Sequence, residues 1–310
     1  DIAIKKSDNQ SIEYMGKFLL GSPGKRLRSA LVIFSAKATR PSADSEKLIK
    51  IASAVELIHM ASLLHDDVID HSSTRHNRPT VNSMWGKDVA IALGDYLYSV
   101  AFELVSECDN SDIVRCISSA TRSMCEGELI QVCERDNLGL LKDRYIVIVQ
   151  KKTASLFAAS CQIGALVSES PHSMHDALKE YGLNFGTAFQ IIDDYLDLME
   201  EEKRLGKNPG QDIDVGEMTL PVLNLLESTP EGKREYVKKL LGSGKNKNSL
   251  NEIKSMLSNS DAASKTKKAA LSYITLAKNK LDILPDSVFK QSLGELTEFV
   301  MRRGWEGYGK

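Results

Sequence analysis

Six carboxylates in two triads define the chemistry open to this chain. Asp66, Asp67 and Asp70 sit in HMASLLHDDVIDHSSTR, and Asp193, Asp194 and Asp197 sit in GTAFQIIDDYLDLMEEE. Ionised carboxylates embedded in apolar runs are costly unless something compensates them, and crowded ones raise one another's pKa. A bound divalent cation is the simplest compensation. On a helix, residues four apart share a face, which pairs Asp66 with Asp70 and Asp193 with Asp197. Asp67 is turned by about 100 degrees from Asp66 and flanks the ion or orients another residue. Ligation by oxygen alone favours Mg²⁺, with Mn²⁺ as the alternative ion, over zinc. Mg²⁺ keeps positions open for water or phosphate oxygens, so each cluster suits a metal-bridged diphosphate. The bland alternative is a solvated helix end with chance acids, and it explains one triad better than two. Two clusters in apolar surroundings imply one cavity with a metal-binding wall on each side.

Several cations stand near these motifs. Gly24-Lys25-Arg26-Leu27-Arg28 reads as the opening of a helix, with Lys25 and Arg28 on a shared face. Two cations at a helix N-terminus make a diphosphate site. Arg75 follows the first triad, Lys152-Thr153 lies inside a helical stretch, and Lys207 follows the second triad. Gln190 precedes Asp194 by one turn. Each of these taken singly reads as an ordinary surface group.

The elements that must position these groups read as helices. Apolar residues recur at spacings of three and four over Ile51–Asp70, Asp88–Leu104, Arg115–Val132, Leu141–Val167 and Met174–Met199. Strand-like alternation is confined to the short run YIVIV. The expected fold is all-α. Proline is scarce, with 8 in 310 residues, which fits long uninterrupted helices. Loops are expected at 21–24, 72–79, 205–216 and 242–249. The segment 228–284 is richer in Lys, Ser and Asn but stays periodic. No linker separates it, so residues 1–310 read as a single domain. Its catalytic helices span about 24–225 and its peripheral helices about 228–310. No repeat at solenoid periods is present.

A net charge of −2 gives no global attraction to nucleic acid or anionic lipid. The chain starts at Asp1 rather than Met, which reads as a trimmed start. No signal peptide is visible, and uninterrupted apolar runs fall short of the ~18 residues of a membrane span. A soluble, cytoplasmic protein is the expectation. The five cysteines are odd in number and form no Cys-x-x-Cys pair, so they read as reduced, core or semi-buried thiols.

The motifs ELIHMASLLHDDVID, STRHNRPTVN, IALGDYLYSVAF, GELIQ, KKTASLF, FQIIDDYLD and LGKNPGQD follow in the order seen in trans-isoprenyl diphosphate synthases, the polyprenyl synthetases. The chain resembles this family from about Gly24 to Leu220, with an echo in LGELTEFVMRR, and is most similar to its medium-to-long-chain members. The resemblance implies long antiparallel helices around a deep central cavity, as in isoprenoid and terpenoid synthases, in a homodimer. It implies that Asp66, Asp67, Asp70, Asp193 and Asp197 hold three Mg²⁺ ions on an allylic diphosphate. Arg75, Lys152, Thr153, Gln190 and Lys207 would contact that diphosphate, and Lys25, Arg28, His59 and His76 would bind isopentenyl diphosphate. Asp66, Asp67, Asp70, Lys152, Asp193 and Asp194 would form the catalytic group. The implied reaction is head-to-tail condensation through an allylic cation. A long apolar product implies at most transient membrane contact for release.

Two positions depart from the family pattern. Arg75-His76-Asn77 stands where members commonly have Arg-Arg-Gly, and Gly216-Glu217 stands where they commonly have Gly-Lys before x-Thr-Leu-Pro. Arg78 is a candidate to compensate for either change. Ala61 and Ser62, one turn before Asp66, are small where short-chain relatives place an aromatic floor, so a longer product is expected. Ile58 and Val55 lie deeper on that helix, and Met124, Ala120 and Ile117 are floor candidates on a facing one. The competing reading of these seven as plain packing residues is strongest for the deeper ones. A His-Asp phosphohydrolase would leave the second triad unexplained. A terpene cyclase would carry an Asn/Asp-Ser/Thr-Glu second site. A non-catalytic partner subunit would have lost its aspartates.

Overall fold

The computed structural model describes residues 10–21, 24–75, 77–200, 209–242 and 246–305. The first half of the fold is built from α1 (Gln10–Leu20), α2 (Leu27–Thr39), α3 (Ser45–Ile69), α4 (Val81–Trp85), α5 (Lys87–Ser106) and α6 (Ser111–Cys133). Asp44 starts α3 by accepting the Glu46 and Lys47 N–H groups, and Asn110 does the same for α6. Between α3 and α4 the chain makes a two-stranded antiparallel hairpin, Thr74–Arg75 against Arg78–Pro79. It turns through Asn77 at φ 58°, a left-handed conformation that asparagine tolerates.

The second half holds α7 (Lys142–Val149), α8 (Ser155–Val167) and α9 (His172–Met199), followed by α10 (Gln211–Asp214), α11 (Leu220–Ser228), α12 (Glu231–Gly242), α13 (Lys247–Ser258), α14 (Ala262–Asn279) and α15 (Val288–Trp305). Among the described residues the fold is all-α apart from the hairpin. The YIVIV run lies in α7 rather than in a strand, because its neighbours continue the helical pattern. The expected helix over 141–167 is interrupted by a π turn at Gln150–Ala154. Inserted π turns of this kind recur at functional sites.

The core has two lobes. One gathers α3, α5 and α6, with Ile51, Val55, Ile58, Leu97 and Ile117 inside it. The other gathers α9, α11, α14 and α15, with Tyr181, Phe185, Ile191 and Leu293 inside it. Helices α2 and α8 serve both: Leu31 and Phe157 face one lobe, Val32 and Leu156 the other. Thus α3, with the first aspartate triad, and α9, with the second, stand on opposite sides of a shared partition. Helices α3 and α5 are long and apolar enough to cross a bilayer, but they pack against each other in the core.

Candidate active site

One cavity of about 930 Å³ separates the two triads, and all six aspartates line it. Lys25, Arg28, His59, Arg75, Lys152, Thr153, Gln190, Ser62 and Met124 line it too. His76 and Lys207 lie outside the described residues.

The first triad closes α3. Asp67 is buried, and Arg75 from the hairpin donates Nε and Nη2 to its Oδ1 at 3.0 and 2.9 Å. Asp70 caps the helix, 2.5 Å from Nη2 of Arg135. Asp66 makes no side-chain hydrogen bond or ion pair among the described residues. Burial pushes its pKa up to about 7, against the opposing field of Lys152. An orphaned carboxylate on a cavity wall fits a cation that binds there.

The second triad is held differently by each carboxylate. Asp193 is 2.9 Å from Nη2 of Arg303 on α15. Asp194 is buried, accepting from Tyr145 Oη and Gln190 Nε2, both at 2.6 Å. Burial raises its pKa to about 7, and these two hydrogen bonds oppose the shift. Asp197 accepts the Asp212 N–H at 3.2 Å. Gln190 Oε1 in turn accepts from Thr153 at 2.9 Å. A hydrogen-bonded chain therefore ties Asp194 to the π turn.

That turn sets Lys152 against the cavity. Two glycines let it approach its neighbours. A Cβ on Gly127 of α6 would stand 2.3 Å from the Lys152 nitrogen, and one on Gly186 of α9 would stand 2.8 Å from the Ala154 Cα. Lys152 Nζ lies 2.5 Å from Glu128. Its pKa is raised, because the surrounding carboxylates Asp66, Glu217 and Glu128 outweigh the burial that would lower it.

Across the cavity, Arg28 Nη1 is 3.0 Å from His59 Nε2, and its guanidinium lies 4.2 Å from the Phe157 ring centroid. Burial lowers the Arg28 pKa to about 10, so it stays charged at neutral pH. Burial and the Arg28, Arg75 and Arg26 charges hold His59 well below its usual range. Neutral His59 then accepts from Arg28 at Nε2 and carries its proton on Nδ1.

Several expectations need correction. Helix α2 begins at Leu27, and Arg26 has left-handed φ 51°. Lys25 therefore precedes the helix and shares no helical face with Arg28, although both line the cavity. Lys25 Nζ lies 5.2 Å from the Phe299 ring centroid. Ala61, Ile58 and Val55 are fully buried in the lobe behind α3 and do not line the cavity. Ala120 and Ile117 are buried in the same lobe. On α3 the cavity wall passes instead through Met60, Ser62, Leu63 and Leu64. Cys125 and Cys133 are exposed, and all five cysteines are free. Glu217 lines the cavity as a half-buried carboxylate, 3.9 Å from Arg135. Burial raises its pKa to about 7, with Lys152 opposing and the nearby carboxylates adding to the rise.

Sequence reasoning missed Arg135, Tyr145, Glu128 and Arg303. Glu128 and Arg303 lie within GELIQ and LGELTEFVMRR, while Arg135 and Tyr145 carry no local signal.

Among the described residues, no three Asp, Glu, His or Cys side chains converge closely enough to hold an ion unaided.

The comparisons with known proteins agree with this geometry. Residues 9–259 match the family model of polyprenyl synthetase. The chain is 35% identical to a short chain isoprenyl diphosphate synthase of Methanothermobacter thermautotrophicus, over 92% of this chain and 88% of that one. It is 32% identical to an all-trans-nonaprenyl-diphosphate synthase of Rhodobacter capsulatus, over 93% and 88%. The crystal structure of a polyprenyl synthase from Caulobacter crescentus, complexed with calcium and isoprenyl diphosphate, superposes with a TM-score of 0.92 at 33% identity, covering 97% of this chain and 92% of that one. An all-α fold, two facing aspartate triads and a cation-lined cavity thus accompany the family match, and the chain belongs to the polyprenyl synthetases, the trans-isoprenyl diphosphate synthases, enzymes that transfer prenyl groups.

Proposed function

We propose that this enzyme condenses isopentenyl diphosphate head-to-tail onto an allylic diphosphate, such as farnesyl or geranylgeranyl diphosphate, to make a medium-to-long-chain trans-polyprenyl diphosphate. The observation that carries this reading is one shared cavity with aspartate triads on two walls and cations between them.

Asp66, Asp67 and Asp70 on one wall, and Asp193 and Asp197 on the other, would hold three Mg²⁺ ions. When bound, these supply positive charge to the diphosphate oxygens. Lys152, Arg75, Thr153 and Gln190 orient the allylic diphosphate. Arg28, with His59 fixing its guanidinium, and Lys25 hold the diphosphate of the isopentenyl group. The allylic C–O bond breaks with its electron pair leaving on diphosphate. Preorganised Lys152 and Arg75 stabilise the charge that builds there. The isopentenyl double bond attacks the allylic cation, and the resulting cation loses a proton to the released diphosphate. Met60, Leu63, Leu64 and Met124 present apolar surface that keeps water from the cation.

Residues 1–310 act as one domain, and the enzyme works as a homodimer. It meets a membrane only transiently, when the product leaves. Incubation with Mg²⁺, isopentenyl diphosphate and farnesyl diphosphate, read by mass spectrometry, tests the proposal. A ladder ending in a discrete long product supports it, and a folded enzyme without elongation refutes it.

A further inference from the structure

A second cavity of about 470 Å³ lies behind the first triad, and Asp70, Ser72, Gln211 and Val215 line both cavities. Arg135 faces this second cavity. Its Nη2 lies 2.5 Å from Asp70 Oδ1 and 3.9 Å from Glu217 Oε1. Three segments meet at this guanidinium: the end of α3, the chain after α6 and the chain before α11.

Backbone contacts fix this meeting. The Asp136 N–H donates to the Gly216 carbonyl at 2.8 Å, which registers the residue after Arg135 against the residue before Glu217. The Glu217 N–H donates to the Asp212 carbonyl at 2.8 Å. The Asp212 N–H donates to Asp197 at 3.2 Å. Contacts therefore run from the last aspartate of the first triad, through Arg135, to the last aspartate of the second.

We propose that Arg135 is a positioning residue for prenyl transfer, ion-pairing Asp70 at 2.5 Å and facing Glu217 at 3.9 Å so that the two carboxylates stand in the arrangement that receives the metal-bound allylic diphosphate. This rests on the reading of the larger cavity as the allylic diphosphate site. Arg135 does not line that cavity and acts through the two carboxylates. Without it, Asp70 loses its 2.5 Å ion-pair partner at the edge of a site that must take a polyanion.

Calorimetric titration with inorganic diphosphate and Mg²⁺ tests the proposal without needing turnover, so its failure is distinguishable from failure of the proposed reaction. Arg135→Gln should weaken diphosphate binding about tenfold. In turnover it should raise KM for farnesyl diphosphate and leave KM for isopentenyl diphosphate nearly unchanged. Arg135→Lys keeps the charge but not the planar fork, and should fall between the two. Adding Glu217→Lys to Arg135→Gln moves the cation to the opposite partner and should recover most of the lost affinity. Unchanged diphosphate binding in Arg135→Gln overturns the proposal. A folded double variant that binds no better than Arg135→Gln also overturns it, since a plain structural brace would not be rescued by moved charge. The double variant decides the question even where Arg135→Gln alone is unstable.

Discussion

Arg303, near the end of the last described helix, lies 2.9 Å from Asp193 in the second triad. The same guanidinium sits 5.6 Å from the Phe189 ring centroid, one turn earlier on α9. A carboxylate expected to meet Mg²⁺ is therefore held by a cation of the protein itself. A metal bound by Asp193 would have to displace that arginine. The pair is partly exposed, so the cost is small. Arg303→Gln should lower the Mg²⁺ concentration for half-maximal diphosphate binding by about threefold. Calorimetry checks this, and an increased Mg²⁺ requirement would contradict it.

Asp66 stands apart because no side chain among the described residues satisfies it. Asp66→Ala removes a charge without stranding a partner, so the fold should hold. Turnover should fall by about 10²-fold or more, as for loss of a group that stabilises charge in the transition state. Near-normal turnover with an unchanged circular dichroism spectrum would sink the metal assignment.

Gly127 is required by the π turn. A methyl group there would meet the Lys152 nitrogen at 2.3 Å and the Lys152 Cα at 2.7 Å. Backbone cannot move aside as a flexible side chain does. Gly127→Ala should cost about 1–3 kcal/mol of stability through overpacking. It should also reduce turnover by displacing Lys152. Thermal unfolding and steady-state kinetics read the two effects, and wild-type values in both would mean that the turn tolerates repacking.

Ser62 is the small residue on α3 that borders the cavity, whereas Ala61 is fully buried behind it. Ser62→Phe should shorten the product by narrowing the path past Asp66. Ala61→Phe should instead destabilise the lobe behind α3 by about 1–3 kcal/mol. Product length by mass spectrometry and melting temperature separate the two. Shortening by Ala61→Phe with an unchanged melting temperature would place the tunnel on the other face.

Burial pushes Asp66, Asp194 and Glu217 each up to about 7. Each folded carboxyl holds its proton more tightly than the unfolded one. That stabilisation is fully present below the unfolded carboxylate range, about pH 4, and is lost as pH rises through about 7. With chelator present, the melting temperature should fall between about pH 4 and pH 7. Added Mg²⁺ and diphosphate should restore it most at the upper end. A melting temperature that climbs across that interval without metal would show these acids to be ionised throughout.

The sequence by itself determined the helices and the two acid motifs. Apolar spacing of three and four is a local property, so α5, α6 and α9 are legible within a few residues of their ends, while α3 starts at Ser45, more than a turn before the Ile51 that the periodicity marks. The acids stand out because charge inside an apolar run needs compensation. The start of α2 was not legible, since the left-handed Arg26 that delays it leaves no mark in the periodicity. Nor was the π turn, which depends on glycines of two other helices. Only tertiary structure decided which cation meets which carboxylate. Arg303 and Asp193 are 110 residues apart, and Arg135 and Asp70 are 65 apart. Such pairs form where packed helices bring side chains together. The same packing turned Ser62 toward the cavity and Ala61, its neighbour in the chain, into the core, because a helix rotates by about 100 degrees at each residue.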